Sequence, residues 1–294
     1  MFRNQELNLL IIAICIFLIP HVCAANTDTF TLWQLPSQTG SQMNSYVIQT
    51  FHGKVIVIDG GFAEDASYLK GFLGALGNKV HAWFISHQHV DHIEALTTIL
   101  KKPQGLEIDK VFGSFLDEEW IKVYEQDSLK TASEFNRALH EKEIPILSLK
   151  LGQTIKIDGI TIKILGIKNS EITTNAINNS SVVMKFWDKH KSICFLGDIG
   201  VEGGRKLLNS KFKKELKSDY VQMAHHGQAG VEEDFYKAVS PKYCIWPTPL
   251  WLWENNNGGG DNSGNWKTLE VRSWINKLKI KKHYCLFEGL IKIY

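Results

Sequence analysis

The chain has 294 residues, 44% hydrophobic and 22% charged, with 33 basic against 31 acidic side chains for a net charge of +2. This is the composition of a globular protein. It excludes a disordered or fibrous chain, and the length supports a sizeable core without covalent staples. The even charge balance gives no ground for a dedicated nucleic-acid partner, while a polyanionic substrate stays open.

Taken in chain order, residues 1–25 stand apart. Arg3 precedes an almost wholly apolar run at residues 9–20, and Cys23-Ala24-Ala25 follows. This is the pattern of an export signal, and the run is shorter than the about 20 residues of a membrane span. The expected mature chain is residues 26–294, one domain, secreted or extracytoplasmic and with no stable membrane span after cleavage. A retained anchor is the alternative.

Short apolar runs then alternate with amphipathic ones. Strands are expected at residues 44–49 and 54–58, a helix at 66–76, and a strand at 80–85 that runs into a histidine-rich segment. A helix at 93–100, a strand at 110–112 and a long polar-faced helix at 117–141 follow. Strands at 145–149, 154–157 and 161–165 come next, with Asp158-Gly159 as a hairpin turn. The second half reads as strands at 181–186 and 192–196, a basic helix at 203–216 and a strand at 220–223. It continues with a helix at 232–239, a strand at 243–246, a helix at 268–278 and two final strands. The order predicts an α/β protein with two β-rich layers and helices outside. Residues 255–265 are too rich in Asn and Gly for regular structure and read as a mobile loop inside the domain. Cys194, Cys244 and Cys285 each lie in a strand-like run. An odd number argues against a disulfide framework and for buried free thiols.

The chemistry concentrates in His87-Gln88-His89-Val90-Asp91-His92. Residues two apart on an extended segment point the same way, so His87 and His89 can grip one cation. Asp91 and His92 sit where the chain turns into a helix and can hold a second. Imidazole nitrogen and carboxylate oxygen suit zinc, and also manganese or iron.

This segment resembles the HxHxDH signature of the metallo-β-lactamase superfamily. Ile58-Asp59-Gly60-Gly61 before it, Phe195-Leu196-Gly197-Asp198 after it, and Met223-Ala224-His225-His226-Gly227 later all agree with the pattern of that superfamily. The resemblance covers roughly residues 43–289. It implies a four-layer αββα sandwich with one or two metal ions, zinc above all. It places His87 and His89 on one metal, Asp91 and His92 on the other, and Asp198 between them. One of the pair His225 and His226 completes the second site. His226 is the favoured ligand and His225 the donor to substrate, with the reverse left open. Asp59 is expected to support the loop without touching metal.

One departure matters. Superfamily members with a full first site supply a further His before the bridging Asp. Here only His140 and His190 are available, and both are expected at the surface. The matching region reads Asn178-Asn179-Ser180-Ser181, so an Asn stands where that His would be, and the first metal, on His87 and His89, would be weakly held or partly ligated by water. The Asn-Asn-Ser-Ser, Leu-Gly-Asp and His-His-Gly elements are similar to the hydrolase domain of bacterial DNA-uptake channel proteins and to secreted phosphorylcholine esterases. That resemblance implies a phosphodiesterase acting on a small-molecule or polyanionic substrate. A bound cation would lower the pKa of water from about 15.7 to about 7, and Asp91 would orient that nucleophile. Hydrolysis of an ester, lactone or lactam is the alternative within enzymes, and a non-catalytic metal-binding module the alternative outside them. Gly258-Gly259-Gly260 opens no Lys-Ser/Thr helix, so no nucleotide P-loop is expected. Trp251 and Trp253 could stack on a base or enclose a quaternary ammonium, or simply cover an apolar edge. The basic helix reads as a solvated face or an attraction for a polyanion.

Overall fold

A computed structural model describes residues 28–294. The expected export segment, residues 1–25, lies outside the described residues. The first half comprises β1 (Thr31–Gln34), β2 (Ser45–Gln49), β3 (Val55–Asp59), α1 (Ala66–Ala75), β4 (Lys79–Val80), β5 (Ala82–Phe84) and α2 (Val90–Lys101). It ends with β6 (Glu107–Ile108), β7 (Val111–Gly113), α3 (Glu118–Tyr124), α4 (Leu129–Glu141) and β8 (Ile146–Ser148). The second half begins with β9 (Thr154–Ile157), β10 (Ile160–Ile164), α5 (Ala176–Asn179), β11 (Met184–Trp187), β12 (Ser192–Phe195) and α6 (Val201–Leu208). It continues through β13 (Tyr220–Gln222), α7 (Glu233–Val239), β14 (Tyr243–Trp246), α8 (Leu250–Trp253), α9 (Thr268–Asn276) and β15 (Lys282–Cys285). Finally β16 (Ile291–Ile293) crosses back to pair with β1.

Two seven-stranded sheets result, ordered β16-β1-β2-β3-β5-β7-β8 and β15-β14-β13-β12-β11-β10-β9. Alternation along each strand decides the layers, because successive side chains face opposite sides. In β3, Ile56 and Ile58 enter the core between the sheets, while Val55 and Val57 face the helices. In β12, Ile193 and Phe195 face inward and Cys194 outward. The outer face of the first sheet is covered by Leu69 and Leu73 of α1, Ile93 and Leu96 of α2, and Phe135 of α4. Leu207 of α6, Phe235 and Val239 of α7, and Ile275 of α9 cover the second. This is the four-layer αββα sandwich. The three thiols are free and buried, as read from the sequence. Among the described residues no helix is long and apolar enough to cross a membrane.

Each sheet joins an antiparallel part to a parallel part. The parallel runs are β3-β5-β7-β8 and β12-β13-β14-β15. The carboxyl ends of β3, β5, β12, β13 and β14 carry Asp59, the histidine segment, Asp198, the His225-His226 pair and Thr248. Open sheets gather functional groups at such ends.

Two expected helices are broken. The run at 117–141 divides at Glu125 (φ −155°, ψ 58°) into α3, a short 3-10 turn and α4. The basic run at 203–216 stops at Leu208 and resumes as a 3-10 turn, Lys213–Leu216. Helical periodicity is continuous through both regions, and long-range packing sets the breaks. The strand expected at 181–186 begins only at Met184, because residues 176–179 form α5 and Ser180 and Ser181 close its end. The Asn-Gly loop is pinned at its neck, where Asn255 Nδ2 donates to Gly264 O at 2.8 Å and Gly264 N–H donates back to Asn255 O.

Candidate metal centre

The segment after β5 leaves the sheet in extended conformation and enters α2 with His89 as its N-cap residue. Asp91 and His92 therefore lie in the first helical turn, turned from His87 and His89. Asp91, His92, Asp198 and His226 are all buried, and each offers a ligand atom within 4.8 Å of the others. His226 Nε2 lies 2.9 Å from Asp91 Oδ2 and 3.0 Å from Asp198 Oδ2, and His92 Nε2 lies 3.4 Å from Asp198 Oδ2. Beyond these mutual contacts Asp91 Oδ2, His92 Nε2 and His226 Nε2 have no hydrogen-bond partner. Buried polar atoms are rarely left so. Their convergence on one point is what a coordinated cation would satisfy, and the N/O donor set fits zinc, manganese or iron.

The remaining atoms of these groups are held from behind. Asp59, at the end of β3, accepts from Ser86 N and Ser86 Oγ at 2.7 and 2.8 Å, and its Oδ2 lies 2.9 Å from His92 Nδ1. It stands behind the cluster and outside it. His226 Nδ1 donates to Pro247 O at 3.1 Å, and Thr248 Oγ1 donates to the His226 carbonyl. Asn44 Nδ2 donates to Asp198 Oδ1 at 3.1 Å and is itself held by Tyr46 OH, while Ser181 Oγ accepts from Asp198 N. Gln222 accepts from Leu196 N and Gly197 N, shaping the turn that carries Asp198. Such outer partners fix the tautomer and direction of each ligand.

His87 and His89 form a neighbouring pair outside that four-residue cluster. His87 Nε2 lies 3.1 Å from His89 Nδ1. Ser86 Oγ donates to Asp59, so its lone pair faces His87 Nδ1 at 3.0 Å. His89 Nε2 donates to Glu125 Oε1. Those partners assign the protons to the far nitrogens, which leaves two lone pairs facing each other at the 3.1 Å contact. A cation between them would remove that repulsion.

The His225-His226 step is strained. Both residues hold left-handed backbone, φ 49° and 55°, at a cost of about 1–2 kcal/mol each. The turn buries His226 in the cluster and leaves His225 half-buried beside it. His225 Nδ1 donates to Ala229 O, and its Nε2 faces Asn178 Nδ2 at 3.5 Å. As a neutral ring His225 thus presents an acceptor, and it donates toward the site only when doubly protonated. Asn178 Oδ1 is buried and unpartnered. Asn179, in contrast, is structural: it accepts from Gly203 N and donates to Glu202. His140 and His190 are exposed and away from the site.

Electrostatics separate the two groups. Burial and the neighbouring His92 hold His87 well below the ordinary imidazole range. Burial also lowers His92 and His226, but Asp198 and Asp91 overcome it, raising His92 well above that range and His226 to about 9. Without a cation these protons balance the carboxylates, so cation and proton compete.

Sequence reasoning missed Asn44, Ser86, Glu125 and Gln222. None belongs to a spaced motif. The only local signal was Ser86, which adjoins His87. The tryptophans pack at an edge: Trp253 lies against Trp246 and Phe287, with Arg272 4.0 Å over its ring, and Trp251 packs on Trp266.

A family model described as metallo-beta-lactamase superfamily matches residues 39–243. The fold is similar to that of the metallo-beta-lactamase fold protein YhfI from Bacillus subtilis, with 13% identity and a TM-score of 0.56 over 91% of this chain and 100% of that one. It is also similar to CmlA, a diiron beta-hydroxylase from Streptomyces venezuelae, with 10% identity and a TM-score of 0.54 over 90% of this chain and 54% of that one. At these identities the likeness concerns the fold alone. No curated protein matches the sequence.

Proposed function

The chain belongs to the metallo-beta-lactamase superfamily, a metal-dependent hydrolase fold, and from that premise we propose that it is an exported hydrolase of phosphodiester bonds. The observation that carries the reading is the buried convergence of Asp91, His92, Asp198 and His226, three of whose ligand atoms lack any other partner. In this reading those four residues hold one cation. His87 and His89 would hold a second, with Asp198 as the residue able to serve both. Zinc is the expected metal, with manganese or iron able to use the same donors.

A divalent cation bound there supplies Lewis acidity and makes water acidic enough to ionise near neutrality. The protein does the rest. Asp91 orients the attacking water and receives its proton. His226, wholly buried, keeps one face of the site dry. His225, at the open edge, approaches the substrate oxygen and donates to it from Nε2 when protonated. Burial lowers His225 below the ordinary imidazole range, and an anionic phosphodiester beside it acts in the opposite direction, favouring the protonated form. Among the described residues Cys194, Cys244 and Cys285 are buried, and burial pushes Cys194 and Cys285 up to about 12, so neither serves as a nucleophile.

The phosphodiester class rests on the resemblance of the Asn-Asn-Ser-Ser, Leu-Gly-Asp and His-His-Gly elements described above. The partner is a small-molecule or polyanionic phosphodiester. Hydrolysis of bis(p-nitrophenyl) phosphate by residues 26–294 loaded with zinc or manganese tests it. Turnover that His89→Ala abolishes is expected. A folded, metal-loaded protein without turnover would overturn the phosphodiester reading and bring ester, lactone and lactam substrates forward. Export is tested by amino-terminal sequencing of protein recovered outside the cell, with a start near Ala25 or Asn26 expected.

A further inference from the structure

Glu125 has no part in any sequence motif, yet it occupies the break between α3 and α4 and reaches the metal centre. Its Oε1 lies 2.5 Å from His89 Nε2, and its Oε2 accepts from Ile177 N at 2.9 Å. The two oxygens thus hold two separate elements, 36 and 52 residues away in the chain. One is the segment carrying His89. The other is α5, which carries Asn178 with its buried, unpartnered Oδ1. A continuous helix through 117–141 could not present Glu125 this way. The extended φ of −155° at Glu125 ends α3 and turns the side chain inward.

We propose that Glu125 is the positioning residue of the His87–His89 pair. One carboxylate oxygen fixes His89 with its Nδ1 lone pair toward His87, and the other holds α5, which carries Asn178 beside His225. The inference rests on reading His87 and His89 as cation ligands. It also gives a physical account of how the pair is organised where the superfamily's further His is missing. A carboxylate on the far nitrogen of a ligating His orients the ring and raises its basicity. Here that carboxylate comes from a helix break 36 residues further along the chain, and its other oxygen holds the start of α5 through the Ile177 amide. Glu125 touches neither substrate nor reacting atoms, so its effect appears in the ligand geometry.

The test compares wild type, Glu125→Ala and Glu125→Gln. Zinc stoichiometry and affinity are measured by competition with a chelating indicator, and histidine tautomers by long-range 1H–15N correlation on metal-free protein above the imidazole titration range. Wild type is expected to bind two equivalents. Glu125→Ala is expected to keep the tighter one unchanged, which also certifies its fold, and to weaken the other about 10- to 100-fold. Glu125→Gln, which still accepts from His89, is expected to recover part of that loss. In the tautomer spectrum His89 is expected as Nε2–H in wild type and as a mixture in Glu125→Ala. Wild-type affinity for both equivalents in Glu125→Ala would overturn the proposal, and so would an Nδ1–H tautomer of His89 in the wild type. A wild type that binds a single equivalent would instead sink the two-cation reading, and the tautomer spectrum would then decide the role of Glu125 on its own.

Discussion

Asp59 Oδ2 lies 2.9 Å from His92 Nδ1 and 2.8 Å from Ser86 Oγ, so one buried carboxylate supports the histidine segment from beneath. Both of its oxygens are used within the protein, and His92 is left with Nε2 turned to Asp91 and Asp198.

Asp59→Ala is therefore expected to act twice. It strands the Ser86 amide and the His92 Nδ1–H, each at about 1–3 kcal/mol. It also frees the His92 ring, lowering zinc affinity about 10- to 100-fold. Urea denaturation and competitive zinc titration read the two effects separately. Unchanged zinc affinity in a destabilised protein would mean that packing alone aims His92.

Zinc at one hundred times its dissociation constant is expected to stabilise the wild type by about 2.7 kcal/mol. His226→Ala removes one proposed ligand of the buried cluster and is expected to lose most of that gain. The effect has a pH signature. Without a cation, Asp198 and Asp91 raise His226 to about 9, so zinc must displace a proton below that pH. Apparent affinity should climb with pH and level off above about 9. The same group stabilises the metal-free fold fully below its unfolded value of 6.5, and that contribution is lost as pH rises toward 9. Calorimetry in buffers of different ionisation heat counts the released protons.

Gly227 follows the strained pair with φ 79°, and a Cβ there would stand 2.5 Å from Trp246 Cε3. Gly227→Ala combines left-handed strain with overpacking and is expected to cost about 2–5 kcal/mol. It should also shift His226 and weaken zinc binding. A stable variant with wild-type zinc affinity would show that Trp246 yields easily.

Lys191 offers a control away from the site. Its Nζ is buried, donates to Thr29 Oγ1 and the Phe30 carbonyl, and lies 4.4 Å over the Phe30 ring. Burial brings it down from 10.5 to about 8. The unfolded chain then binds more protons than the native one between those values. Stability should rise with pH from about 8 to 10.5 through this group. The stability difference between wild type and Lys191→Met, followed by denaturation across that range, isolates the effect.

Much of the candidate site was legible because its residues are clustered locally or placed at strand ends. His87 to His92 need only one strand-to-helix junction to come together, and Asp198 and His226 each follow a short apolar strand and match the superfamily pattern. The layer assignment was likewise carried by the order of strands and helices, whereas a continuously apolar run such as Val55–Asp59 shows its two faces only in the packed structure. The second tier was not legible. Asn44 reaches Asp198 across 154 residues, and Glu125 reaches His89 across 36, with no periodicity linking either pair.

The amino-acid sequence by itself determined the class of fold, through the order of its elements and the resemblance carried by its histidine segment, and it supplied the candidate ligands. Only the tertiary structure decided which imidazole of the His225-His226 pair is buried among carboxylates, where the helix at 117–141 breaks, and which side chains hold each ring from behind. Those outcomes depend on groups distant in sequence competing for the same buried hydrogen bonds, and that competition is settled only when both sheets and their outer helices have packed.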